Sequence, residues 1–160
     1  MQRRSGHHRG FTLIELVITL ALIGLLAALA APVAETMVRR GKEQDLKSAL
    51  MQVRDAIDAY KDAADAGRVA KAASDSGYPA NLDVLVNGVV DKSSATGGKL
   101  YFLRQVPRDP FADKSLPAGQ TWALRSSDSP PDAPSSGKDL YDIHSLSDGK
   151  ALDGTFYREW

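Results

Sequence analysis

Between positions 11 and 34 the chain is apolar at nearly every residue, and Glu15 is the one full charge inside that run. A helix rises ~1.5 Å per residue, so about 20 apolar residues span the hydrocarbon core of a bilayer. The run is long enough to cross a membrane. It is longer than the apolar core of an ordinary secretory signal, which takes roughly 7–15 residues. A carboxylate within such a segment costs on the order of 2.5–3.5 kcal/mol or more, so it calls for a partner. The ten residues ahead of the run are polar and basic, with Arg3, Arg4 and Arg9. An ordinary signal, with a cleavage site in the Ala-rich stretch 27–31, accounts for the basic start but not for the length or for the acid at the front. A plain anchor accounts for the length and the basic flank but leaves Glu15 without a role.

The junction reads Gly10-Phe11-Thr12-Leu13-Ile14-Glu15. A basic leader, a glycine just before an aromatic, and a glutamate at the fifth position after that glycine together resemble the class III leader of the type IV pilin and type II secretion pseudopilin superfamily. The resemblance implies that a prepilin peptidase cuts between Gly10 and Phe11, that Phe11 is then N-methylated, and that the apolar helix is retained. A newly exposed α-amine titrates near pH ~8, and Glu15 lies four residues on, along the same helix face. The resemblance implies that Glu15 pairs with the amine of a neighbouring subunit during assembly. An unpaired buried carboxylate is costly, so such a pair rewards correct subunit register. Pro32 sits where this superfamily often carries a proline; it removes a backbone donor and tends to kink a helix.

The chain has 160 residues, enough for one small domain plus a long helix. Its 20 basic and 20 acidic side chains balance. Loss of Arg3, Arg4 and Arg9 with the leader leaves 17 basic against 20 acidic, which argues against a nucleic-acid surface. The chain has no cysteine, so no disulfide supports the domain. Many type IV pilins close a C-terminal loop with a disulfide, so this composition is closer to pseudopilins.

Beyond Pro32 a charged, helix-favouring stretch reaches about residue 66. Leu46, Leu50, Val53, Ile57 and Tyr60 recur at spacings of three and four, which predicts one apolar stripe on a soluble helix packed on its own domain. Gly41 is a soft point in that rod and Gly67 its end. Residues 68–76 either continue the helix or form a loop. Asn81 and Gly88 bracket a short helix with Leu82, Leu85 and Val86 facing inward. Residues 93–98 read as a loop. The segment Pro107-Arg108-Asp109-Pro110-Phe111, after the short Leu-rich helix, resembles the major pseudopilin of type II secretion. That resemblance implies that the segment leads into the first strand of a small antiparallel sheet. The strand is expected over 121–126, and 140–145 alternates as its half-buried partner. The Ser-, Pro- and Asp-rich stretch 127–137 reads as a loop.

The tail carries Asp-Gly twice, at Asp148-Gly149 and Asp153-Gly154. Hard cations take six to eight oxygens from carboxylates and turn carbonyls, but the spacing is not that of an EF-hand. Two Asp-Gly pairs by themselves are ordinary turns. The family resemblance implies calcium here, with Asp148 and Asp153 as side-chain ligands, Leu146 and Thr155 as carbonyl ligands, and Ser147 as a further donor. The loop is shorter than is usual in that family and contains Lys150. His144 stands alone and reads as a strand residue, and no catalytic motif is present.

The expected fold is α+β and pilin-like: a long N-terminal helix, its first half transmembrane, packed on a small antiparallel sheet. The expected organisation is a leader over 1–10, an assembly helix over 11–34 and a periplasmic domain over 35–160. The resemblance implies a non-enzymatic, single-pass protein of the bacterial inner membrane that self-assembles into a helical filament. Its partners would be the minor pseudopilins, the inner-membrane secretion platform and the prepilin peptidase. A type IV pilin or minor pilin of a surface fibre is the alternative.

Overall fold

The computed structural model describes residues 10–71 and 75–160. The basic leader up to Arg9 and the centre of the 68–76 stretch therefore lie outside the described residues. The chain divides into two compact units, one ending at Arg39 and one running from Arg40 to Trp160.

The first unit holds the start of α1 (Leu13–Asp65). Its apolar side chains lie exposed: Leu13 is 83 % accessible and Leu26 66 %. The helix contains an apolar stretch with mean hydropathy 2.6, none of it buried within the chain. It is the one helix among the described residues long and apolar enough to cross a membrane. The helix runs unbroken through Pro32 and Gly41.

The second unit is built on the remainder of α1. The stripe expected from the sequence is buried: Leu46, Val53 and Ile57 are inaccessible, and Leu50 is nearly so. The helix stops where glycine permits a left-handed turn. Gly67 has φ of +73°. Its N–H donates to the carbonyl of Ala64 at 3.0 Å, and that of Arg68 donates to the carbonyl of Ala63 at 2.9 Å. These paired bonds form a Schellman motif, which satisfies carbonyls that the helix end would leave open.

A second helix, α2 (Leu82–Asn87), starts at Asn81, whose side chain accepts from the Val84 N–H at 3.1 Å. Leu82 and Leu85 are buried as expected, while Val86 is half-buried at the edge of the core. The chain then forms a hairpin that the sequence reading lacks: β1 (Val89–Val90) pairs antiparallel with β2 (Lys99–Leu100). Two-residue strands carry too little alternation to be read from a sequence. Gly88 makes the approach to this hairpin work, since its φ is +73° and a Cβ there would lie 2.8 Å from the Leu100 carbonyl oxygen.

The expected strand pair is present as β3 (Trp122–Arg125) and β4 (Asp142–Ser145), antiparallel, with Trp122 opposite Ser145 and Leu124 opposite Ile143. The β structure is thus two separate two-stranded sheets, where one small sheet was expected. Trp122 and Ile143 join Leu103, Leu140 and Tyr157 over the helical stripe to form one core. Burying each such side chain stabilises by about 1.5–3 kcal/mol.

The Pro-Arg-Asp-Pro-Phe segment is tied to this strand pair by polar bonds. Asp109 is 1 % accessible. Its carboxylate accepts from the Ser145 hydroxyl at 2.6 Å and from the Phe111 N–H at 2.7 Å. The Asp109 N–H donates to the Thr121 hydroxyl, and the Trp122 indole N–H donates to the Pro107 carbonyl.

Candidate functional site

Two regions hold the functional residues expected from the sequence, one in each unit. In the first unit, Gly10, Phe11 and Thr12 precede the helix and are exposed. The Thr12 carbonyl accepts the N–H of Leu16 at 3.2 Å, and the Thr12 hydroxyl accepts that of Glu15 at 3.3 Å. Thr12 is therefore the N-cap of α1, with Glu15 at the third helical position. The Gly10–Phe11 peptide bond lies outside the helix, with Phe11 83 % accessible. A peptidase needs its substrate bond unwound and reachable, and this bond is both.

Glu15 lies on the exposed surface of the first helical turn. Among the described residues its carboxylate meets no cation in a salt bridge. A negative charge there suits the positive end of the helix dipole. The Thr12 cap is a residue that reading for function passed over. The Thr-x-x-Glu spacing just ahead of an apolar run was the available signal.

In the second unit, the 146–155 loop holds the proposed calcium donors, and each is already engaged or turned to solvent. Asp148 pairs with Arg158 at 3.2 Å and its side chain is 89 % accessible. The Asp153 carboxylate accepts from the Thr155 hydroxyl at 2.6 Å and from its N–H at 3.0 Å, and these bonds hold it below the usual carboxylate range. The Thr155 carbonyl accepts the N–H of Ala151 at 2.7 Å, closing a tight turn. Ser147 caps the N–H of Gly149 at 3.2 Å, and Leu146 is exposed. Asp148 and Asp153 thus bond to separate partners, Arg158 and Thr155. Among the described residues no group of three or more His, Asp or Glu side chains is placed to hold a metal.

The surroundings of that loop are organised by two residues of α1 that the sequence did not single out. The Glu43 carboxylate accepts from the Leu152 N–H at 2.9 Å and from the Tyr157 hydroxyl at 3.0 Å. The Arg54 guanidinium donates to Asp142, to the Ile143 carbonyl and to the Trp160 main-chain oxygen. Trp160 packs edge-on to Tyr157, beneath the Lys47 ammonium at 4.3 Å. The aromatic end therefore closes on the helix as well as on the strand pair. His144 sits in β4 opposite Ala123. Burial lowers its pKa, and Arg54 and Arg125 add to that, against the opposing pull of Asp142.

Residues 6–31 match the family model of the prokaryotic N-terminal methylation motif. Two curated relatives, both type IV major fimbrial protein FimA of Dichelobacter nodosus, are 44 % identical to this chain over 50 residues. The alignments cover 31 % of this chain and 32 % of each relative, so the chain spans about a third of the length of the relatives it matches. No solved structure gives a significant match. The N-terminal segment thus carries the methylation motif, and the likeness to fimbrial proteins supports the pilin-like superfamily.

Proposed function

We propose that this chain is a structural subunit of a type II secretion pseudopilus, a fibre that drives protein export across the bacterial envelope. The observation that carries the reading is the Gly10–Phe11 junction: exposed, non-helical, and followed at once by a Thr12-capped apolar helix bearing Glu15. A prepilin peptidase would cut there and Phe11 would be methylated. The helix would then stay in the inner membrane, with residues 35–160 in the periplasm, until subunits associate through it. Glu15 meeting a neighbour's amine would set their register, because an uncompensated charge in that setting is expensive. The minor pseudopilins and the inner-membrane secretion platform are the partners this implies. The function is one of assembly, not catalysis.

The choice of secretion over a surface fibre rests on the absence of cysteine and on the Pro107-Arg108-Asp109-Pro110-Phe111 segment. The fimbrial relatives favour the second reading, a type IV pilin or minor pilin. Deleting the gene separates the two. Loss of exported folded proteins with surface fibres intact supports the first; loss of fibres with export intact supports the second.

Calcium is a further part of the proposal. What supports it is the donor chemistry of a short loop holding two carboxylates beside glycine turns. Binding would require Asp148 to leave Arg158.

A further inference from the structure

Two surfaces of the second unit carry opposite charge together with exposed apolar side chains. On α1, the face opposite the buried stripe presents Asp55, Asp58 and Asp62, all exposed, at steps of three and four residues along one line of the helix. Met51, one turn earlier, is 64 % accessible. None of these three carboxylates forms a salt bridge among the described residues, whereas Asp65, next along the line, is taken by Lys61 and Lys71.

The other surface is the β1–β2 hairpin. Val89 and Leu100 are paired and pack against the core, so the alternating pair Val90 and Lys99 faces outward. Val90 is 57 % accessible and the adjoining Tyr101 65 %. Lys92, Lys99 and Arg104 are exposed and form no salt bridge among the described residues, and the Lys99 ammonium donates to the Asn87 carbonyl at 3.4 Å. Asp91, the sole acid between Gly88 and Arg104, is bound by Arg68 and Ser93, so the stretch keeps three cations facing solvent.

We propose that these surfaces are the two halves of one contact between copies of this chain, the Asp55–Asp58–Asp62 line of one subunit docking on the Lys92–Lys99–Arg104 hairpin of the next. Complementary charge sets the pairing, and Met51 meets Val90 and Tyr101. The halves are different surfaces, so the contact is head-to-tail, and repetition generates an open fibre rather than a closed dimer. The inference rests on the filament reading above and names the part of the globular unit that serves it.

The test uses the full chain produced in membranes, where the absence of native cysteine gives a silent background. A copy with Asp58→Cys is co-produced with a copy carrying Lys99→Cys and oxidised. A disulfide-linked dimer is expected, absent with Lys114→Cys as the partner and weaker at high salt. Asp55→Lys with Asp62→Lys in the first copy removes the cross-link, and Lys92→Glu with Arg104→Glu in the second restores it. Restoration excludes misfolding as the cause of the loss. Sheared fractions are scored for fibres by electron microscopy in parallel. Fibres without the cross-link, or a loss that the reversed pair does not restore, overturn the contact and leave the filament reading standing. Neither fibres nor cross-links overturns both.

Discussion

Arg54 on α1 donates from its guanidinium to the main-chain oxygen of Trp160, 106 positions later, at 2.7 Å. The same group holds Asp142 at 2.8 Å and the Ile143 carbonyl at 3.2 Å, so one side chain fastens the helix to β4 and to the end of the fold. Arg54→Ala is expected to destabilise the full chain in detergent by about 1–3 kcal/mol, with the partly exposed Asp142 pair contributing the smaller share. Arg54→Lys keeps the charge but loses the fork, and should recover only part of the loss. Thermal unfolding followed by tryptophan fluorescence measures both.

Asp109 is buried, accepts from the Ser145 hydroxyl and the Phe111 N–H, and forms no salt bridge among the described residues. Asp109→Ala leaves the Ser145 hydroxyl and the Phe111 N–H without their acceptor, at a cost of about 1–3 kcal/mol for each group left unsatisfied. Asp109→Asn keeps the shape and one acceptor and should cost less. An equal loss in the two variants would show that packing, not bonding, holds the Pro-Arg-Asp-Pro-Phe segment.

Stability should fall in two stages as the solution is acidified. His144 has a folded pKa lowered by burial, so the stability it contributes is complete above its ordinary value near 6.5 and is lost as pH falls through the folded value. His144→Gln should remove that first stage. The second stage begins below pH ~4 and belongs to carboxylates whose folded pKa is depressed. Burial pushes Asp139 up, but the hydroxyls of Ser126, Ser127 and Ser76 outweigh it and hold the group well below the usual range. Lys61 and Lys71 lower Asp65 to about 2. Asp139→Asn should flatten the acid limb of the unfolding curve between pH ~4 and ~2.

Processing should depend on the exposed junction. Co-production with a prepilin peptidase is expected to yield a chain beginning with N-methylated Phe11, read by mass spectrometry of the intact protein. Gly10→Val places a branched side chain at the scissile bond and should leave the chain uncut. Thr12→Ala removes the cap, weakening the first turn by about 1 kcal/mol, and circular dichroism of a peptide spanning the junction should show the fraying. An uncut wild-type chain would remove the basis of the filament reading.

Calcium gives a separate test. Millimolar calcium is expected to raise the unfolding temperature, because an ion that binds only the folded state stabilises it. Asp148→Ala or Asp153→Ala should abolish the rise. Arg158→Gln, which frees Asp148 from its ion pair, should enlarge it. No shift in the wild-type chain or in Arg158→Gln would eliminate the ion from the 146–155 loop.

The features legible from residue order alone were those that depend on near neighbours. The apolar run, the stripe through Leu46, Val53 and Ile57, the Asn81 cap and the alternation of β4 follow from local periodicity and turn chemistry, and each is present. What required the folded chain was pairing over long separations. Nothing in the order of residues says that Glu43 reaches Leu152 and Tyr157, that Arg54 reaches Trp160, or that Asp109 accepts from Ser145. The Asp-Gly turns near Asp148 and Asp153 could be found in the sequence, but whether their carboxylates converge depends on which side chains lie across from them. In the fold, those neighbours are Arg158 and Thr155.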